Sequence, residues 1–395
     1  MRRGLAAGAL LALLMTGAAQ SAPPAHPDPV TANQYAELEK NLADLAAVSY
    51  GGGGFNQTLS MLGREDLAAQ ISIPPARGRQ ECKPLLEDGK PLDPITYIAR
   101  RAADVRVTMV NEAHDEPLTR AFLMQVAATL QTKGYEDYAA ETFSRQIGVT
   151  SPAWPLVRDG YYSQEPVYGR LIRQLRREKY RFLSYEFSPL QDSKVPFSEQ
   201  MNQRMAGQAA NLISQMWNEG SGTKILLHAG YANLSKRPTA EGGTTHMGYE
   251  FSRISGIDPL TVDQTFLQSQ GADFVVCDPS QVTDRRRAYA DIMIGVPKVQ
   301  FERGRPTYRL AMGDRFAEIP TKLLRKDEIA VYDVRPVGEP LDSVPMDRIL
   351  LRPGETLPLL APPGRYMVTV WTEKSGWSAG VPLTVPGKPA KAQHS

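Results

Sequence analysis

The stretch Val105-Arg106-Val107-Thr108-Met109-Val110, running straight into Asn111-Glu112-Ala113-His114-Asp115, decides how this chain is read. A short apolar run rich in β-branched residues reads as a buried strand, and the residues leaving it carry acid–base chemistry. The same form returns four times. Tyr138-Ala139-Ala140 runs into Glu141, Phe182-Leu183-Ser184-Tyr185 into Glu186, Ile225-Leu226-Leu227 into His228, and Phe274-Val275-Val276 into Cys277-Asp278. Helical spacing fills the intervals. Pro117 to Thr132 places Leu118, Phe122, Val126 and Leu130 on one face, Glu165 to Lys179 and Phe197 to Asn218 follow, and Met247 to Ser255 stops at Gly256. Strand and helix in alternation predict an α/β fold, a mostly parallel sheet flanked by helices. In such sheets ligands bind beyond the carboxyl ends of the strands. Glu112, His114, Glu141, Glu186 and His228 are therefore expected to meet at one rim.

Working outward, Met1-Arg2-Arg3, an apolar stretch from Leu5 to Met15 and small residues through Ala22 have the order of a cleavable secretory signal. Residues 1–21 are set apart on that ground, and the rest is expected in the periplasm or outside the cell. No later run has transmembrane length, so no membrane span is expected after signal removal. Residues 22–103 read as an N-terminal helical extension. It comprises a Pro-rich opening, a helix from Thr31 to Val48, a flexible break at Gly51 to Gly54, and short helices and loops up to Arg101. The α/β body is expected over 104–325. Past it, Ile329 to Val334, Arg348 to Leu351 and Gly364 to Trp371 alternate between turns, predicting a small β-sandwich domain over 326–386. Lys298 to Glu302 and Tyr308 to Met312 also read as antiparallel strands, and 387–395 as a disordered tail.

The chain carries 45 basic and 43 acidic residues, and Arg2 and Arg3 leave with the signal. That balance speaks against nucleic acid or an anionic membrane as partner and leaves a small molecule or peptide. Cys82 and Cys277 are the two cysteines; an oxidising compartment permits a bridge between them, and two separate buried thiols are the alternative. Arg170, Arg173, Arg176, Arg177 and Lys179 recur at helical spacing and read as a solvated face.

Glu112 and His114, in the turn leaving a strand, suit general acid and base, or an oxygen and a nitrogen ligand of one metal. Glu141 and His228 extend either set. The plain alternatives are a helix cap at Glu112, a salt bridge or cap at Glu141 and Glu186, and a satisfied core imidazole at His228. Burying unpaired charge costs on the order of 3–5 kcal/mol, so acid–base groups at several strand ends argue for a site over packing. The Gly-x-Ser-x-Gly match at Gly376-Trp377-Ser378-Ala379-Gly380 falls among the C-terminal alternating stretches and not in a strand-to-helix turn, and phosphate-loop and HExxH patterns are absent from the sequence, which leaves serine-esterase chemistry on an α/β-hydrolase scaffold without support.

Asn111-Glu112-Ala113-His114-Asp115, followed by Gln125 on the next helix, resembles the Gly-Glu-x-His-Asp opening of ChaN-like haem-binding proteins. These belong with erythromycin esterases and Tiki proteases in one superfamily. Glu141 is similar to the acidic residue that ends that family's second strand. Arg204, Ala209, Asn211 and Leu212 look like the superfamily's Arg-x-x-x-x-Ala-x-Asn-Leu helix. The resemblance covers roughly residues 104–235. It departs at Asn111, where the family has glycine, and at Gly230-Tyr231-Ala232-Asn233, where Asn stands for the histidine of a closing Gly-x-x-His. Asparagine hydrogen-bonds a ligand but takes no proton, and it is a poorer transition-metal ligand. Either His228 substitutes for that imidazole or part of the chemistry is lost.

Together with the signal-like start, the site residues suggest an exported hydrolase, and the resemblance implies an ester, lactone or peptide bond as its substrate. Glu112 and Glu141 would position His114 as general base while Arg204 steadies developing negative charge, and Glu186, Tyr231 and Asn233 join the substrate set. A divalent metal on Glu112, His114, Glu141 or His228 is a variant. The alternatives are a haem protein with Tyr231, His228 or Tyr185 as axial ligand, and a non-catalytic binding module.

Overall fold

The computed structural model describes residues 52–70, 79–144, 147, 154–189, 194–218, 222–238, 243–282 and 290–387. The expected signal, the helix from Thr31 to Val48 and the tail beyond 387 lie outside them. In chain order the first elements are α1 (Gly52–Met61), α2 (Glu65–Ala68), β1 (Gln80–Cys82), β2 (Leu86–Glu87), β3 (Lys90–Pro91) and α3 (Pro94–Ala102). The body continues with β4 (Val107–Glu112), α4 (Pro117–Gln131), β5 (Tyr135–Ala140), α5 (Pro166–Arg177), β6 (Arg181–Ser184), α6 (Phe197–Asn218), β7 (Lys224–Gly230), α7 (Met247–Ser255), β8 (Leu260–Ser269), β9 (Val275–Val276) and β10 (Ile292–Val296). The C-terminal part holds β11 (Phe301–Glu302), β12 (Arg305–Pro306), α8 (Thr307–Ala311), β13 (Arg315–Ala317), β14 (Ala330–Pro336), β15 (Asp347–Leu351), β16 (Leu359–Ala361), β17 (Gly364–Thr372), β18 (Gly376–Trp377) and β19 (Val381–Val385).

The main sheet runs β6-β5-β7-β4-β8-β10-β9, with β1 also on β8. Every pairing in it is parallel except β9 against β10. The fold is therefore α/β, as the alternation predicts. All six residues of β4 are buried, which is why a continuous apolar run announced it. One face is closed by α3, α4 and α5 through Ile98, Phe122, Val126, Leu171 and Leu175. The other is closed by α6 and α7 through Met205, Ala209, Leu212 and Phe251. Both α4 and α5 begin with proline, whose missing N–H costs nothing there, and α7 ends at Gly256 with φ of +71°.

In the C-terminal part, β15-β14-β17-β18, with β19 on β17, form an antiparallel sheet, and β13 pairs separately with β16. Alternation sends Tyr332, Ile349, Val368 and Val370 to one face, packed with Leu359 and Ala361. The opposite face holds Val331, Leu350 and Trp371, and it is covered by Leu59, Met61, Leu62 and Leu67. The segment expected as an extension of the α/β body thus divides. Its first helices close the C-terminal sheet, while β1 and α3 enter the parallel one.

Several local expectations are corrected. The glycines at 52–54 lie within α1, where burial of the later Leu59 and Leu62 outweighs poor glycine propensity. Tyr308 to Met312 is helical over Thr307–Ala311, a turn that brings Arg309 Nε 2.5 Å from Asp314 Oδ2. Only Phe301–Glu302 of the Lys298 stretch is strand. The fifth apolar run ends in the antiparallel edge strand β9, and Cys277 is bonded to Cys82, not presented at the rim. Arg170 and Arg173 are no solvated face: they are buried against Asp314 and Glu339 of the C-terminal part. Among the described residues no helix is long and apolar enough to cross a membrane.

Candidate active site at the carboxyl rim of the sheet

β4 ends in Glu112, and its carboxylate is the hub of the rim. The side chain is 2% exposed. Arg120, one turn into α4, donates from Nε to Oε2 at 2.6 Å and from Nη2 to Oε1 at 2.9 Å. The same guanidinium donates to the His114 carbonyl at 3.0 Å and to Glu165 at 3.1 Å. Glu165 is the N-cap of α5, accepting from Val167 N and Tyr168 N, so two helices and a strand end are tied together at one cation. Burial opposes ionisation of Glu112, but the charges of Arg120 and His228 and the hydrogen bond of His114 hold its carboxyl well below the usual range.

An ionised carboxylate only accepts, so the contact between Glu112 Oε1 and His114 Nδ1 at 2.8 Å places the ring proton on Nδ1. The imidazole is stacked on Tyr162, with centroids 3.7 Å apart and planes at 10°, and meets Tyr231 edge-on at 5.0 Å. Gly230, the last residue of β7, makes the room. A β-carbon there would lie 2.4 Å from His114 Nε2 and 3.1 Å from Glu141 Oε2. Among the described residues His114 Nε2 makes no hydrogen bond, and the side chain is 13% exposed.

Glu141, just past β5, accepts from Gly230 N at 2.7 Å, Arg204 Nη2 at 2.9 Å and Asn233 Nδ2 at 3.1 Å. Arg204 of α6 also donates to both oxygens of Glu186, at 2.9 and 2.6 Å. Burial opposes its charge, yet the hydrogen bonds and charges of Glu186 and Glu141 raise its pKa. Tyr231 takes a positive φ of +39° and donates to Asp115 at 2.9 Å. Its carbonyl accepts from Asn111 Nδ2 at 2.7 Å. Asn111 also donates to Asp263 and accepts from Gln264 N, which explains an amide where glycine was expected: it sews β4 to β8 beneath the Tyr231 turn.

The structure thus brings Glu112, His114, Glu141, Glu186, Arg204, Tyr231 and Asn233 to one rim and puts His228 behind it. His228 is 2% exposed, with Nδ1 at 2.8 and 3.0 Å from the hydroxyls of Tyr138 and Tyr168. Its Nε2 is 3.0 Å from Glu112 Oε2, close but off the hydrogen-bond line. Enclosed in this way, His228 packs behind Glu112 and is not presented at the rim. Tyr185 is buried too, donating to the His228 carbonyl at 2.9 Å. Neither is placed to serve as an axial haem ligand.

The metal variant fares no better. Both Glu112 oxygens face Arg120, and the Arg204 cation lies between Glu141 and Glu186. No group of three or more His, Cys, Asp or Glu among the described residues is arranged to hold an ion. The residues present do not fit a metal. Sequence reasoning missed Arg120, Glu165 and Tyr162. Arg120 left one trace, a charge inside the apolar opening Leu118-Thr119-Arg120-Ala121-Phe122 of α4.

No protein-family model matches the chain, and no curated protein does. A solved structure of the type III effector HopBA1 is similar at 14% identity and a TM-score of 0.35, covering 57% of this chain and all of that one. A likeness that slight carries no argument.

Proposed function

We propose that the protein is an exported hydrolase of ester, lactone or peptide bonds and a divergent member of the superfamily that joins ChaN-like proteins, erythromycin esterases and Tiki proteases. One observation carries the reading. His114 is held at Nδ1 by an ionised Glu112, while its Nε2 is open beside Gly230 and Glu141. An imidazole fixed in that tautomer accepts a proton from water at Nε2, and the carboxylate steadies the imidazolium that forms. Arg204, whose Nη1 makes no hydrogen bond among the described residues, supplies positive charge at the same rim. Export is supported by the order of Met1 to Ala22 and by the Cys82–Cys277 bond, which suits an oxidising compartment.

The test is hydrolysis by the wild type and His114→Ala of a panel of p-nitrophenyl esters, lactones and fluorogenic peptides, with and without Zn²⁺ or Mn²⁺. Activity lost in the variant supports the reading. A wild type inert throughout the panel contradicts it. The binding-module reading is favoured by Asn233, whose amide already satisfies Glu141 where an imidazole is expected. It predicts that Glu112→Ala and His114→Ala leave function intact.

A further inference from the structure

We propose that Tyr162 is a further catalytic residue of this rim, its phenol donating a hydrogen bond to the substrate oxygen that gains negative charge when water adds. The proposal rests on the hydrolase reading above and adds a group for which the sequence carried no sign.

The tyrosines with buried hydroxyls set the contrast. Tyr138 and Tyr168 meet His228 Nδ1, Tyr185 meets a carbonyl, Tyr135 donates to Ala102 O and Val105 O, Tyr180 to Ala127 O, and Tyr308 to Glu65. Each hydroxyl has its partner, as burial requires. Tyr162 has none among the described residues, although its backbone N–H is anchored on Thr142 Oγ1 at 2.8 Å. Its ring is also the one that lies flat on the His114 imidazole. The half-buried ring that carries this unbonded hydroxyl is thus stacked on the imidazole of the base.

Electrostatics keeps it a donor. Burial, then the charges of Glu141 and Glu112, push the phenol up to about 12 against an opposing pull from Arg204. Its oxygen therefore lies within electrostatic reach of the rim's three charged groups and remains protonated at neutral pH. A neutral phenol beside carboxylates is suited to an oxyanion, because it brings a proton to share without cancelling the Glu112–Arg120 pair.

The water oxygen bonds to the carbonyl carbon while His114 Nε2 takes one water proton. The carbonyl π pair moves onto its oxygen, where the Tyr162 O–H donates. On collapse, that pair returns, the C–O or C–N bond to the leaving group breaks, and the leaving group takes the proton back from Nε2. One water is consumed and both side chains end as they began.

Tyr162→Phe tests this cleanly, because it keeps the ring on His114 and removes only the hydroxyl. With p-nitrophenyl acetate or whichever panel member the wild type turns over, kcat is expected to fall ~10–100-fold while KM changes less than about threefold. The melting temperature should stay within roughly 2 °C. Tyr162→Ala, which also frees the imidazole, should lose more and raise KM. Full kcat in Tyr162→Phe beside an inactive His114→Ala overturns this proposal and leaves the hydrolase reading standing. A wild type that hydrolyses nothing removes both.

Discussion

Helix α5 connects two ionic clusters that differ in one respect. At its N-terminal end Glu165 grips Arg120, and through it Glu112 and His114. Along its length Arg170 pairs with Asp314, and that cluster runs on through Arg309 and Asp347 to Arg305. Nearby, Asp333 is held by both Arg348 and Arg335. These C-terminal carboxylates are enclosed, each facing a guanidinium, with no imidazole among them. The rim also buries charge, and an unbonded guanidinium nitrogen does not set it apart, since Arg305 Nε and Nη1 lack partners in the C-terminal cluster too; the difference is that His114 Nε2 and the Tyr162 hydroxyl are left without hydrogen bonds among the described residues. The lesson corrects the sequence argument that acid–base groups at strand ends mark a site because buried charge is costly. This molecule buries ion pairs for packing as well, and the mark of the site is an open valence on a group that can move a proton.

The comparison breaks most visibly at His114. His114→Ala should lower kcat/KM by ~10³-fold or more, while any fall in melting temperature reports the Tyr162 stack and the Glu112 hydrogen bond that the change also removes. Equal activity, measured on the panel, would place the rim with the structural clusters.

Asp333→Asn should do the reverse. It leaves Arg348 and Arg335 without their anion in the C-terminal core and should cost about 3–5 kcal/mol by urea denaturation, with kcat per folded molecule unchanged. The pH dependence follows from the sign. Burial disfavours the Asp333 anion, but Arg348 and Arg335 win and lower its pKa in the folded state. Its contribution is therefore present above the ordinary carboxylate range and lost as pH falls through the lowered value. The variant should show a shallower loss of stability in acid.

The bond between Cys82 and Cys277 ties β1 to the residue after β9, across 195 positions. Cys82→Ser with Cys277→Ser should cost about 2–4 kcal/mol and spare the rim, whose residues it does not touch. Loss of activity in a folded variant would show that the rim depends on this edge.

A further effect, read as a slope against pH, is expected at Glu65, which accepts from Tyr308 at 3.0 Å. Burial, reinforced by Glu165, raises its pKa to about 8. A carboxyl raised in the folded state stabilises below its unfolded value, and that contribution disappears as pH rises through about 8. Glu65→Gln should flatten the decline in melting temperature between pH 5 and pH 8, roughly the window separating the two values. An unchanged slope would show that another group titrates there.

β4, β5 and β7, which carry most of the rim, were legible because they are buried on both faces and so read as apolar runs. β8 was not, because Asp263, Gln264 and Thr265 are buried within it and satisfied by Asn111 and by one another. Arg170 and Arg173 of α5, unlike the exposed Arg177, were misread for a related reason. A helix face turned to carboxylates of the C-terminal part shows the same periodic charge as one turned to water. Glu112, His114 and Glu141 stood out from their place after strands, whereas Tyr162 lies in a connecting segment and meets His114 only in space. The Asn233 departure, visible in sequence, gained a meaning only with the amide seen on Glu141.

The central claim is that Glu112 fixes the His114 tautomer and leaves Nε2 open. Long-range ¹H–¹⁵N correlation on ¹⁵N-histidine-labelled protein, with His114 assigned by substitution, measures it directly. The account predicts that the neutral ring carries its proton on Nδ1 with a bare Nε2, shifting toward the other tautomer in Glu112→Gln. A His114 protonated at Nε2 alone, or one indifferent to Glu112→Gln, would contradict it.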